Sequence, residues 1–156
     1  MDLYAHFETT KGSFVAKLYK NEVPNIISHF KTLVTGHPAY IHPMFGKTNK
    51  PFYSNLKFHY VSPDAYIQTG CYKGDGTSYI TPEKPYEKTS PFSHISGSLS
   101  VARAGNIEGG QFFICLNPMP HFDGIFTVFG KVEIGLEVVS SIELNDVLLK
   151  IWLEEH

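Results

Sequence analysis

The first 36 residues show two different spacings of apolar side chains. Apolar and polar positions alternate over 3–9 and again over 13–19, with a Thr-Lys-Gly turn between them. Since successive side chains of a β-strand point to opposite faces, this pattern predicts a β-hairpin. Over 23–36 the apolar residues instead recur every three or four positions, with Pro24 in the first turn and Gly36 at the end. This spacing predicts an amphipathic helix of about three turns.

The rest of the chain consists of short apolar stretches between residues typical of turns. A second short helix is predicted over 135–144, whereas 37–56 and 70–97 lack a sustained period and are predicted to be loops. Strands are predicted at 56–61, 66–68, 98–103, 111–116, 127–132 and 147–153. Many short strands with two helices favour an antiparallel β-barrel or sandwich, and a two-layer α+β sheet is the alternative.

Composition narrows the class of protein. The 156 residues are enough for one domain, and 42% hydrophobic with 18% charged residues is typical of a folded chain. The net charge is -2 and no basic run is present, so nucleic acid is not an expected partner. The sequence has neither an 18-residue apolar run nor an apolar signal segment, which predicts a cytoplasmic protein that spans no membrane.

Few residues offer metal, redox or nucleotide chemistry. The two cysteines, Cys71 and Cys115, are isolated in the sequence and are expected to be free thiols. His37 and His42 belong to no closed set of metal ligands, and the glycine-rich run 74–78 lacks the strand-to-helix context of a phosphate-binding loop. We therefore expect no metal and no cofactor.

Five segments resemble motifs of the cyclophilin family. Residues 58–68, FHYVSPDAYIQ, are similar to the family signature F-H-R-V-x-P-x-F-M-I-Q. Residues 98–105 and 109–114, SLSVARAG and GGQFFI, resemble L-S-M-A-N-A-G and G-S-Q-F-F-I. Residues 122–132, FDGIFTVFGKV, resemble L-D-G-K-H-x-V-F-G-K-V, and 135–142 resemble the helix that follows it. The motifs keep the family's order and spacing over nearly the whole chain.

The resemblance implies a fold and an activity. The implied fold is mainly β, a closed eight-stranded antiparallel β-barrel capped by two α-helices, as a single domain over 1–156. The implied activity is cis/trans isomerisation of peptide bonds that precede proline. Such an enzyme needs no cofactor and would act as a monomer on proline-containing peptides or folding proteins.

Tyr60 stands where the family has an arginine that donates a hydrogen bond to the proline nitrogen in the transition state. Loss of one preorganised donor costs about 2.7 to 4 kcal/mol in other enzymes, so we expect weak catalysis. The phenol of Tyr60 either donates one neutral hydrogen bond in its place or only fills the space. Arg103, the only arginine in the chain, replaces a family asparagine beside the same groove. It either directs its guanidinium towards the bound peptide or faces solvent.

The resemblance also implies a set of substrate contacts. Gln68, together with Tyr60 and Arg103, is a candidate catalytic residue. Phe113 corresponds to the floor of the proline pocket, and His121 replaces a tryptophan, which predicts weak binding of the cyclic immunosuppressant that many relatives bind. The candidate substrate-binding residues are His59, Ala65, Tyr66, Ala102, Gln111, Phe113, His121, Phe122 and Phe126. His59 and the two glutamines have structural roles as the alternative.

Two non-catalytic functions stay open beside the isomerase. A module that binds proline peptides would keep Phe113, Gln111 and Gln68 but lose turnover at Tyr60. A barrel that serves only as an assembly scaffold would tolerate a polar residue at Phe113.

Overall fold

The computed structural model describes residues 1–104 and 107–156; Gly105, in the second motif, lies outside the described residues. Two α-helices and eleven β-strands are present in this part of the chain. The helices are α1, Pro24–Thr35, and α2, Leu136–Ser141. The strands, β1 to β11 in chain order, are Leu3–Thr9, Gly12–Leu18, Tyr40–His42, Gly46–Thr48, Ser54–Lys57, Tyr60–Val61, Tyr66–Thr69, Ser98–Ala104, Ile107–Cys115, Val128–Ile134 and Val147–Glu155.

Nine of the strands form one antiparallel sheet in the order β5-β11-β1-β2-β10-β8-β9-β7-β6. The terminal strands β5 and β6 are consecutive in the chain, with only Phe58 and His59 between them. The sheet must therefore curl so that its two ends approach each other, although β5 and β6 do not pair with one another. The mainly β class with two helices is confirmed, whereas the prediction of a closed eight-stranded barrel is corrected to a curled sheet of nine strands.

The boundaries of α1 follow from its sequence. Pro24 occupies the first turn, where its missing N–H has no helical partner to lose, and Gly36 ends the helix at a φ of 81°. A side chain at Gly36 would place its Cβ 2.1 Å from the carbonyl oxygen of Asn49, so both conformation and space require glycine. The apolar face of α1 packs into the barrel core through Ile26, Ile27, Phe30, Leu33 and Val34.

Two predicted segments differ from the structure. The stretch 37–56, predicted as a loop, contains a separate two-stranded sheet in which β3 pairs with β4. The predicted strand 56–61 is interrupted at Phe58 and His59 and becomes β5 and β6. The predicted loop 70–97 is confirmed, because it contains no helix or strand. Among the described residues, no helix combines the length and apolar content needed to cross a membrane.

The core contains two groups of buried side chains. The larger one fills the inside of the curled sheet and is centred on the rings of Phe30 and Phe112, which contact each other and also those of Phe7 and Phe129. The smaller group is built on Phe113 and lies on the other face of β9, because neighbouring residues of a strand point in opposite directions. This second group positions the candidate site.

His29 gives the fold a predicted sensitivity to acid. Its ring is buried on α1, where Nδ1 lies 2.5 Å from the hydroxyl of Tyr86 and, among the described residues, Nε2 has no hydrogen-bond partner. Burial lowers the pKa of His29 from 6.5 to about 4. As the pH falls below 6.5, the unfolded chain takes up a proton that the folded protein does not. The free energy of unfolding should therefore fall by about 3 kcal/mol between pH 6.5 and 4 through this residue alone.

Urea unfolding of the wild type and of His29→Gln at pH 7.5 and pH 4.5 tests this prediction. Glutamine keeps a polar group beside Tyr86 but does not titrate. The variant should lose less stability between the two pH values, by about 2 to 3 kcal/mol. Equal losses in both proteins would assign the acid sensitivity to other groups.

Candidate active site

Phe113 lies at the centre of the smaller cluster. Its side chain is buried, and its ring contacts those of Tyr66, Phe122 and Phe126 at centroid distances of 5.0, 5.6 and 5.4 Å. Tyr66 comes from β7, and Phe122 and Phe126 come from the segment between β9 and β10, which contains a 3-10 turn at Pro120–Phe122. The structure thus brings four of the sequence-predicted residues together as one aromatic wall.

This wall borders an open cavity of about 180 Å³, hereafter the groove. The size suits one small side chain, and the aromatic wall on one side is a surface on which a prolyl ring can pack. The residues that line the groove are Tyr66, Gln68, Tyr79, Ala102, Arg103, Phe113, Phe122 and Phe126. Tyr79 was not predicted, because it lies in the irregular stretch 70–97, where no spacing pattern indicates which side chains point inwards.

Tyr60 lies at the rim of the groove rather than on its wall. Its side chain is 46% exposed, and its ring stacks on that of Tyr66 with a centroid distance of 5.1 Å. Burial, with a contribution from the neighbouring Tyr60, raises the pKa of Tyr66 above 10. Tyr66 is therefore a neutral phenol at physiological pH.

The two glutamines form a pair. Gln68 Nε2 donates to Gln111 Oε1 at 2.8 Å, and Gln111 Nε2 donates to the carbonyl oxygens of Ser78 and Gly76 at 2.8 and 3.1 Å. Gln111 is only 1% exposed. Its amide therefore fixes loop 76–78 beside the groove, whereas Gln68 reaches the groove itself.

Arg103 is held in place by three acceptors. Nη1 donates to the carbonyl oxygen of Ile125 at 3.2 Å, and Nη2 donates to the carbonyl oxygen of Glu87 at 3.2 Å and to the hydroxyl of Thr127. The guanidinium lies on the groove wall. Arg103 thus lines the groove while its guanidinium is hydrogen-bonded to the protein, and its contact with a bound peptide stays a prediction.

Glu87 connects Arg103 to the helix. Its carboxylate accepts the backbone N–H groups of Asn25 and Ile26 at 2.8 and 3.0 Å, at the start of α1, where no residue of the helix supplies a side-chain cap. A carboxylate at this end is favoured by the unpaired N–H groups and by the helix dipole. Through its backbone carbonyl, the same residue holds Arg103 and Thr127, so the first turn of α1 and the groove wall share one support.

A buried histidine supports the back of Phe113. The His94 ring lies nearly parallel to that of Phe113 at a centroid distance of 5.9 Å. Its Nδ1 is 2.7 Å from Asp123 Oδ1, and its Nε2 is 2.8 Å from Ser100 Oγ. Hydrogen bonds from the backbone N–H and the ring of His94 lower the pKa of Asp123. A serine, a histidine and an aspartate linked in this way form the catalytic triad of many hydrolases. Here Ser100 is fully buried and beyond the reach of a substrate carbonyl, so the three residues do not form such a site. No pattern in the sequence indicates this contact.

The other predicted site residues lie outside the groove wall. His121 is exposed on the 3-10 turn and contacts Phe122, with ring centroids 4.5 Å apart. The backbone carbonyl of Ala65 accepts a hydrogen bond from the N–H of Leu116 at 2.7 Å. His59 is half-buried next to Gly76, and burial lowers its pKa below 6.5.

The chain is similar to known proteins over most of its length. Residues 4–150 match the family model described as cyclophilin type peptidyl-prolyl cis-trans isomerase/CLD. A peptidyl-prolyl cis-trans isomerase of Synechococcus elongatus is 36% identical over 150 residues, which cover 94% of this chain and 93% of that protein. Peptidyl-prolyl cis-trans isomerase B of Bacillus subtilis is 36% identical over 142 residues, with 88% of each chain covered.

Solved structures show the same fold. A cyclophilin type peptidyl-prolyl cis-trans isomerase of Cryptosporidium parvum superposes with a TM-score of 0.82 at 19% identity, over 100% of this chain and 99% of that one. A second crystal structure of that protein, obtained in the presence of the dipeptide Ala-Pro, has a TM-score of 0.79 at 21% identity, over 98% and 99% of the two chains.

Proposed function

Because the chain belongs to the cyclophilin type peptidyl-prolyl cis-trans isomerase family, we propose that it isomerises peptide bonds preceding proline at the groove around Phe113, with weak catalysis. The single observation that carries this proposal is the aromatic wall formed by Tyr66, Phe113, Phe122 and Phe126. This wall accepts an apolar ring next to the only guanidinium in the chain. No metal or cofactor is needed, because the reaction makes and breaks no covalent bond.

The substrate backbone has a place to bind along β8. Pairing between β10 and β8 ends opposite Ser100, and the register of β8 with β9 shifts between Val101 and Arg103. Ala102 therefore lies at an irregularity of the sheet beside the groove. An extended peptide can pair with backbone groups at such a site. This pairing holds the residues on one side of the prolyl peptide bond while the other side rotates.

The chemical step is rotation about an amide with a barrier of about 18 to 20 kcal/mol. In the twisted state the proline nitrogen becomes more basic, so a hydrogen-bond donor directed at it stabilises that state more than the planar ground state. Arg103 Nη1 and Nη2 already donate to Ile125, Glu87 and Thr127, and Tyr60 offers a single neutral donor at the rim. Both facts support weak catalysis.

NMR exchange spectroscopy on a short Ala-Pro peptide tests the proposal without a coupled protease. The wild type should bind the peptide and accelerate exchange between its cis and trans forms above the uncatalysed rate. Binding without exchange would support the alternative of a proline-peptide binding module, which the tyrosine at position 60 specifically favours. A protein that does neither would be a scaffold. We further propose that it acts as a cytoplasmic monomer on proline-containing peptides or folding proteins.

Arg103 should contribute to peptide binding or turnover. Arg103→Gln removes the charge but keeps a donor, and it should lower kcat/KM or affinity for the Ala-Pro peptide by about tenfold, the size of a lost charge-assisted hydrogen bond. Lys131→Gln, an exposed cation on β10, is the matched control and should change neither quantity. If Arg103→Gln binds and turns over like the wild type, Arg103 has no role in the reaction.

A further inference from the structure

The segment between α1 and β5 contains a hairpin that belongs to no part of the main sheet. Strands β3 and β4 pair over three residues each, and residues 40–48 are called the hairpin below. The Tyr40 hydroxyl donates to the carbonyl oxygen of Lys50 at 2.6 Å. Buried His42 accepts the backbone N–H groups of Met44 and Phe45 at its Nδ1, at 3.0 and 3.3 Å. These contacts hold the turn in one shape.

The hairpin exposes three large apolar side chains. Ile41, Met44 and Phe45 are 65%, 59% and 68% exposed. Single exposed apolar residues are common, but three within five positions of a short, fixed hairpin are more than scattered exposure, and we call them the hairpin patch because such groups typically mark an interaction site. The barrel core does not explain them, because none of the three belongs to it.

A cavity of about 230 Å³ lies directly beside this patch. Phe45 forms part of its wall and contacts the rings of His42 and Tyr72, with centroids 4.7 and 5.5 Å away. Pockets for small-molecule ligands usually exceed roughly 300 Å³, so this one suits a single aromatic or aliphatic side chain. No residue lines both this cavity and the groove.

The charge around the hairpin indicates the chemistry of the occupant. Of the described residues that line the cavity, one is a cation, Lys50, and none is an aspartate or glutamate. Residues 23–63, which contain the hairpin, have four lysines and no acidic residue. Lys47 and Lys50 are exposed on and next to the hairpin, and Lys50 also lines the cavity. A ligand with carboxylates beside its apolar anchor is therefore complementary to this surface. The concave cavity favours a partner that inserts a protein side chain. A lipid surface would contact only the protruding tip of the hairpin and would leave the cavity empty.

We propose that the hairpin and its cavity form a second docking site, which binds an acidic segment of a partner protein. The segment inserts one aromatic or aliphatic side chain beside Phe45 and Tyr72 and places its carboxylates near Lys47 and Lys50. This function goes beyond the isomerase activity, because a partner held here leaves the groove open to a proline peptide.

The test is selection from a displayed library of random 12-residue peptides on the wild-type protein. Counter-selection uses the double variant Phe45→Ser/Lys50→Glu. The matched control is Lys131→Glu/Ile134→Ser, which makes the same kinds of change at two exposed residues of β10. Selected peptides should be acidic with one aromatic or aliphatic residue. They should bind the hairpin variant at least tenfold more weakly than the control and shift the backbone NMR signals of residues 40–50.

Three results would overturn the proposal. In the first, no selected peptide distinguishes the hairpin variant from the control. In the second, the hairpin-dependent peptides lack acidic residues. In the third, the hairpin residues support binding only to vesicles of phosphatidylserine and phosphatidylcholine or to a second copy of the chain. Exchange of the Ala-Pro peptide should be equal in all three proteins. A failure of the isomerase proposal would instead show as absent exchange in the wild type, and the peptide selection would still stand.

Discussion

Replacing Tyr60 by arginine should raise kcat/KM for the Ala-Pro peptide by about 100- to 1000-fold. The resemblance places an arginine at this position as the donor to the proline nitrogen, and one preorganised donor contributes about 2.7 to 4 kcal/mol in other enzymes. Tyr60 stacks on Tyr66 at the edge of the groove, and its 46% exposure leaves room for a longer side chain that reaches the cavity. Since the position is at the surface, the substitution should leave the free energy of unfolding nearly unchanged.

Two further variants identify the cause of the gain. Tyr60→Lys supplies a charge without the planar fork and should recover only part of it. Tyr60→Phe removes the hydroxyl, and a fall in the wild-type rate would show that the phenol of Tyr60 already acts as a donor. If the wild type exchanges the peptide rapidly and Tyr60→Arg adds nothing, the donor lies elsewhere, with Arg103 as the first candidate.

Phe113→Ala should remove most of the affinity for proline peptides. Truncation of a buried phenylalanine costs about 3 to 5 kcal/mol of stability, and it removes the wall shared by Tyr66, Phe122 and Phe126. Loss of the apolar surface for a prolyl ring should weaken binding by about 10- to 100-fold, which corresponds to about 1.5 to 3 kcal/mol. Titration of the Ala-Pro peptide followed by NMR measures this effect.

The neighbouring Phe112 provides the matched control. Both rings are 2% exposed, but Phe112 points into the barrel core and Phe113 into the groove. Phe112→Ala should lose similar stability and keep its affinity for the peptide. If either alanine variant unfolds, the pair Phe112→Leu and Phe113→Leu makes the same comparison with a smaller loss of volume. Equal affinities in the two variants would exclude Phe113 as the floor of the binding site.

Three predicted elements match the structure closely. They are the N-terminal β-hairpin over 3–19, which corresponds to β1 and β2, the helix over 23–36, which is α1, and the strand over 147–153, which is β11. Each of them has one face in the core, so burial itself imposes the alternating or helical spacing that the sequence displays. The small hairpin at 40–48 was missed for the opposite reason. Its strands are three residues long and its tip is exposed, and the two buried positions of β3, Tyr40 and His42, are too few to show an alternating pattern.

Some residues of the site could be identified from the sequence and others could not. Phe113, Tyr66, Phe122 and Phe126 were identified because the family motifs that contain them are recognisable without any contact. The role of His94 was not, although its ring lies against Phe113. Its hydrogen-bond partners, Ser100 and Asp123, come from β8 and from the segment before β10, and only the folded chain brings them together.

The sequence by itself determined the family, most of the strands and helices, and the substitution at Tyr60, because these features depend on residue type and local spacing. The tertiary structure decided which contacts Arg103 and Gln111 make. The guanidinium of Arg103 is aimed by acceptors 16 to 24 positions away, and the amide of Gln111 is held by carbonyl groups 33 and 35 positions away. Such contacts depend on how the sheet curls and where the long loop crosses it. No local pattern of hydrophobic and polar residues encodes that geometry.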